Sequence, residues 1–210
     1  MRMDAVIWDL DGTLIDSYRC IVPSLRLFYE ARGVSLDEEQ IRSFVLQDSV
    51  TGFARFVEAQ YGVSLSAEME EYRKIRGELE KDLQLMPGAR ALLDRLKAAG
   101  VRSFLFTHRG PSTEAVLRRV GLEADFEEVL TAESGFPRKP APDAILYLLQ
   151  RHQLSPEGSC YVGDRPLDIQ CAVNAGIQAV LYAPEGDFLP PEVPHVSISS
   201  LAELGNLIEN

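Results

Sequence analysis

The stretch Ala5-Val6-Ile7-Trp8-Asp9-Leu10-Asp11-Gly12-Thr13 joins four apolar residues to a polar turn containing glycine. A short apolar run of β-formers closed by Asp and Gly reads as a buried strand over residues 5–8, followed by a loop. Working outward from it, residues 17–85 show helical periodicity and little β signal, through Ile21-Leu25-Phe28, Phe53-Phe56-Val57 and the charged stretch 68–81. Pro23 either kinks the first of these helices or marks its start. From Met86 onward helix and strand alternate. Helices are expected over 87–100, from Thr113 to a stop at Gly121, from Pro142 through Ile145, Leu148 and Leu149, from Gly163-Asp164 to Gly176, and from about Leu201. Strands are expected over 101–106, 126–130, 160–162, 177–182 and 196–198, with a Pro-rich loop over 184–194. This alternation predicts an α/β fold, a doubly wound Rossmann-like parallel sheet formed by residues 1–16 and 86–210, into which a helical domain, 17–85, is inserted.

The 210 residues are 46% hydrophobic and 25% charged, enough for a sizeable core. Lys and Arg number 21 against 32 Asp and Glu, a net charge of -11, and no basic run occurs. Nucleic acid is therefore excluded as a partner, and an anionic substrate must be drawn by a local site. Cys20, Cys160 and Cys171 form no C-x-x-C pair and suggest neither a disulfide framework nor a zinc knuckle. Asp4 and Asp9 interrupt the N-terminal apolar stretch before a signal-peptide core or a membrane span can form. The expectation is a soluble cytoplasmic protein, monomer or homodimer, with no membrane partner.

In an open α/β sheet, ligands collect at the carboxyl ends of the strands. Those ends carry Asp9 and Asp11, then Thr107, then Lys139 in the loop after the third strand, then Asp164 with Asp168. Four carboxylates in one crevice repel one another unless a hard cation or bound protons compensate them, and Mg²⁺ suits oxygen ligands. A lysine and a threonine hydroxyl supply complementary donors for phosphate oxygens. The inferred substrate is a phosphate ester. Taken singly, Asp11 and Thr13 read as turn formers, Asp164 and Asp168 as helix N-terminal charges, and Lys139 as a surface charge; together they do not.

The set Asp9-Leu10-Asp11-Gly12-Thr13, Thr107, Lys139-Pro140-Ala141-Pro142-Asp143 and Gly163-Asp164 with Asp168 resembles the four motifs of the haloacid dehalogenase superfamily. The resemblance spans essentially the whole chain, with 17–85 similar to the cap of the phosphoglycolate phosphatase and β-phosphoglucomutase branch. It implies Asp9 as nucleophile forming an aspartyl-phosphate, and Asp11 as general acid and then base. Asp9, the Asp11 backbone carbonyl and Asp164 would hold Mg²⁺, with Asp168 a ligand or a partner of ligands. Thr107, the backbone of His108, and Lys139 would bind the transferring phosphoryl group. The function implied is a Mg²⁺-dependent phosphatase of a small phosphorylated metabolite, phosphoglycolate being one candidate. The alternatives are a phosphomutase, which shares every core motif, and a phosphate-binding protein without turnover.

His108-Arg109 stands where the family commonly has asparagine after the threonine. These side chains either touch substrate or are solvated. In the cap, Arg42, Gln47, Asp48, Ser49 and Arg55 are candidates for setting specificity, and the acidic face 68–80 reads as solvated. His152 and His195 show no ligand spacing. The dehalogenase and phosphonoacetaldehyde hydrolase branches are disfavoured because Asp11 is present. A response-regulator receiver lacks the D-x-D-G-T run and the insertion.

Overall fold

A computed structural model describes residues 3–184, 186 and 192–209. The elements run β1 (Ala5–Trp8), α1 (Tyr18–Glu30), α2 (Glu38–Gln47), α3 (Val50–Tyr61), α4 (Met69–Leu79), α5 (Ala89–Ala98), β2 (Arg102–Phe106), α6 (Thr113–Val120), β3 (Val129–Leu130), α7 (Asp143–His152), β4 (Ser159–Gly163), α8 (Pro166–Ala175), β5 (Gln178–Tyr182), β6 (Val196–Ile198) and α9 (Leu201–Glu209). Of the Pro-rich loop expected over 184–194, residues 185 and 187–191 lie outside the described residues.

Two compact units result, Met1–Ile15 with Leu85–Asn210, and Asp16–Gln84. In the first, six strands pair in the order β3-β2-β1-β4-β5-β6, all parallel. This is the doubly wound α/β sheet that the helix and strand alternation predicts. β1 is buried along its whole length, as a central strand covered on both faces must be. Ala5, Ile7, Phe104, Phe106 and Tyr161 pack on one face with Ile145 and Leu148 of α7 and Ile169 and Ala172 of α8.

The strand expected over 126–130 is only Val129–Leu130. Ahead of it the Glu127 carboxylate pairs with Arg102 at 2.5 Å and the Asp125 carboxylate with Arg90 at 2.6 Å. These side-chain ties hold the chain as a turn until the edge of the sheet is reached, and short edge strands are a common protection against further pairing.

The second unit is helical and has its own core, in which Phe28, Tyr29, Phe53 and Tyr72 meet edge to face at centroid distances of 5.1–6.1 Å. Pro23 sits inside α1 and does not mark its start. Ser49 caps α3, accepting the Gly52 N–H at 3.0 Å and donating to Asp48 Oδ1 at 3.1 Å. Ser49 therefore has a local capping task, and Asp48 supports it by accepting its hydroxyl. Gln47 and Arg55 are exposed, and the Arg42 guanidinium lies 6.0 Å from the Tyr18 ring centroid. Along the acidic stretch Glu68 and Glu71 pair with Arg32 at 2.5 and 2.7 Å while staying about half exposed, and Glu80 at its end is buried.

Candidate active site

The strand order reverses at β1 and β4, the point where a doubly wound sheet opens a crevice beyond its carboxyl ends. Trp8 is level with Leu105 and Val162. Continuing that register places Asp9 between the ends of β2 and β4, and its N–H donates to the Val162 carbonyl at 2.8 Å. Asp9 is 1% exposed.

Lys139 reaches this point from the loop before α7. Its Nζ donates to Asp9 Oδ1 at 2.9 Å and to Asp168 Oδ1 at 2.8 Å, with all three side chains buried. The ammonium also lies 5.0 Å from the Phe106 ring and 5.1 Å from the Tyr161 ring, distances at which aromatic faces attract a cation. Burial alone would lower the lysine's proton affinity, but Asp168 and Asp9 outweigh it and the pKa is raised. It is an ammonium.

The two carboxylates respond oppositely to the same lysine. Burial raises Asp9, and Lys139 only partly offsets this. Asp168 is equally buried but ends below the usual carboxylate range. The charge of Asp168 adds to the burial that raises Asp9, whereas Asp168 is lowered by the charges of Lys139 and Arg165 and then by hydrogen bonds, among them the Arg165 N–H donated to Oδ2 at 3.1 Å. Asp9 Oδ2, in contrast, is buried and accepts no hydrogen bond. Arg165 Nη2 stands 3.8 Å from it.

Asp9, Asp164 and Asp168 each offer a carboxylate oxygen within 4.8 Å of the others. That is the scale of one shared divalent cation, whose oxygen ligands stand at about 2.1 Å for Mg²⁺. The orphaned Oδ2 of Asp9 fits such an ion, since a buried acceptor left unsatisfied costs about 1–3 kcal/mol. The Asp11 side chain is not in this group. Its carboxylate is engaged by the Arg109 guanidinium, with Nε donating at 3.1 Å to Oδ2 and Nη2 bound to Oδ1.

Sequence reasoning missed several contacts. Thr13 is more than a turn former: it is buried, and its hydroxyl donates to Asp164 Oδ1 at 3.1 Å. Arg109 is 6% exposed, so surface solvation does not describe it. His108 accepts the Lys139 N–H on Nε2 at 2.9 Å, and burial and then Lys139 lower its pKa to about 3, which keeps the imidazole neutral. Arg165 has a signal that went unused, because a cation just before a helix N-terminus opposes the helix dipole and needs a local anion. Three cationic side chains thus already answer four carboxylates, and the orphaned Asp9 oxygen, more than crowding, is the feature that a divalent ion would satisfy.

Gly163 sets the spacing between β4 and α8. A Cβ there would stand 2.3 Å from the Asp168 Cβ and 2.5 Å from its Cγ. Gly163→Ala is expected to cost about 1–3 kcal/mol as an overpacking substitution, which for a chain of this size lowers Tm by roughly 2–12 °C. Thermal unfolding followed by circular dichroism checks this, and an unchanged Tm refutes the close approach.

Residues 6–182 match the family described as haloacid dehalogenase-like hydrolase. The chain belongs to that family. Hexitol phosphatase A of Escherichia coli K12 is 29% identical to the hydrolase over 184 residues, covering 86% of this chain and 83% of the relative. A phosphoglycolate phosphatase of Rhodobacter capsulatus is 32% identical over 185 residues, covering 85% and 83%. A solved HAD-superfamily hydrolase, subfamily IA, variant 1, from Geobacter sulfurreducens superposes with a TM-score of 0.73 at 26% identity, over 98% of this chain and 99% of that one. Among the described residues, no helix of the hydrolase is long and apolar enough to cross a membrane.

Proposed function

We propose that the hydrolase is a Mg²⁺-dependent phosphatase of a small phosphorylated metabolite, working through an aspartyl-phosphate on Asp9. The observation that carries this reading is the buried Asp9 carboxylate, with Oδ1 held by Lys139 and Oδ2 without a hydrogen bond. Similarity to a phosphoglycolate phosphatase and a hexitol phosphatase supports the substrate class.

A divalent cation held by Asp9, Asp164 and the Asp11 carbonyl would keep Asp9 ionised and draw charge from the phosphoryl oxygens. An Asp9 oxygen bonds to phosphorus as the ester P–O bond breaks, and Asp11 gives its proton to the departing alcohol. Asp11 then takes a proton from the water that displaces Asp9, releasing inorganic phosphate. Lys139 has three N–H groups, two of them committed to Asp9 and Asp168, and the third is assigned to a phosphoryl oxygen. Thr107 Oγ1 accepts the Arg109 N–H at 3.1 Å, so its own hydrogen points elsewhere and is assigned to the phosphate with the His108 backbone. Asp168 serves as anchor of Lys139. The helical unit 16–84 is assigned the choice of substrate. Buried thiols at Cys20, Cys160 and Cys171 suit a reducing cytoplasm.

The test is phosphate release from phosphoglycolate, hexitol and other sugar phosphates, nucleotides and p-nitrophenyl phosphate, with Mg²⁺ or with chelator. Metal-dependent release is expected from at least one small ester. Silence across the panel from folded, Mg²⁺-supplied protein would overturn the reading in favour of a mutase or a phosphate-binding protein.

A further inference from the structure

Arg165 stands one residue before α8, between the Asp164 that would hold a metal and the Asp168 that anchors Lys139. Its guanidinium faces two buried carboxylates, with Nη2 3.8 Å from Asp9 Oδ2 and Nε 3.8 Å from Asp168 Oδ2. Both are ion-pair distances, longer than a hydrogen bond. The charge is felt at each neighbour nonetheless: Arg165 favours the ionised forms of Asp9 and Asp168 and works against the Lys139 ammonium.

Of the three cationic side chains at these carboxylates, Arg165 is the most accessible. It keeps 12% of its side-chain surface open, against 2% for Arg109 and none for Lys139. An anion from solvent therefore reaches Arg165 most readily.

The oxygen that faces Arg165 Nη2 is Asp9 Oδ2, the buried acceptor that a divalent ion would also take. Two cations at one carboxylate oxygen repel each other. With every carboxylate ionised, Asp9, Asp11, Asp164 and Asp168 carry one negative charge more than Lys139, Arg109 and Arg165 supply. A divalent ion turns that balance positive, and a phosphate anion offsets it. A neutral residue at position 165 would instead let the ion alone balance the set.

We infer that Arg165 is a built-in counter-charge, which weakens the hold of Asp9 on a divalent ion and strengthens the hold of the metal-loaded site on a phosphate anion. The inference rests on the proposed metal site at Asp9 and Asp164. Its two effects have opposite signs. A merely structural role does not produce that pattern, because a damaged site binds both ligands less well.

The experiment measures dissociation constants by calorimetry and Tm shift, first for Mg²⁺ alone and then for inorganic phosphate at saturating Mg²⁺, in wild type, Arg165→Gln and Arg165→Lys. The backbone N–H that Arg165 donates to Asp168 is kept in each variant. Arg165→Gln is expected to bind Mg²⁺ about tenfold more tightly and phosphate about tenfold more weakly, the scale of one unit charge acting at a partly screened site. Arg165→Lys keeps the charge and is expected within about threefold of wild type on both ligands. Arg165→Met carries the test if the glutamine variant does not fold. Any other pair of signs in the neutral variant, or a lysine variant shifted as far as the neutral one, would overturn this inference alone. Failure of Mg²⁺ to bind either wild type or the neutral variant would overturn the proposed metal site and this inference with it.

Discussion

Asp9→Asn is expected to abolish phosphate release while the protein stays folded. The amide keeps an oxygen that can accept from Lys139 but is a far poorer nucleophile, and loss of a covalent nucleophile costs at least about three orders of magnitude in kcat. Stability is expected to change little. Burial already raises the Asp9 pKa, so exchanging a strained carboxylate for a neutral isostere removes a desolvation penalty as well as an ion pair. The measurements are metal-dependent phosphate release and Tm on the same preparation. Turnover within tenfold of wild type would remove Asp9 from the role assigned to it.

Lys139→Ala is expected to damage both the fold and the reaction. Its ammonium is the shared partner of Asp9 and Asp168, and all three are buried. Removing one member of such a set leaves uncompensated buried charge at a cost of about 3–5 kcal/mol, which corresponds to a fall in Tm on the order of 10 °C. The pH dependence has a definite sign. Asp168, despite burial, is held below its ordinary pKa chiefly by Lys139, so in wild type its contribution to stability is present above the unfolded carboxylate value. That contribution is lost as pH falls through the lower folded value. In the variant this acid limb is expected to flatten. Mg²⁺ is expected to raise the variant's Tm more than wild type's, since a divalent ion takes over part of the missing charge. A variant as stable and as active as wild type would refute the arrangement.

Much of this architecture is legible locally. The run Ala5–Trp8 is continuously apolar because β1 is covered on both faces. Gly121 and Gly176 end α6 and α8 with φ of 73° and 74°, a conformation in which glycine carries no steric penalty. The strand expected over 126–130 is shorter in the structure: Phe126, Val129 and Leu130 look like β-formers locally, while the ion pairs Arg102–Glu127 and Arg90–Asp125 that restrain the turn join distant segments.

Local pattern suffices for the helix and strand alternation, the parallel sheet, and the acidic, hydroxyl and basic residues at strand ends, because periodicity and turn chemistry act over a few residues. Tertiary structure alone decided which charge meets which. Lys139 lies 130 residues from Asp9, and Arg109 lies 98 from Asp11. No local pattern encodes those pairs. They exist because the register of β2, β1 and β4 brings three strand ends side by side and the loop before α7 returns Lys139 to the same point, where a buried charge is costly unless it finds a partner.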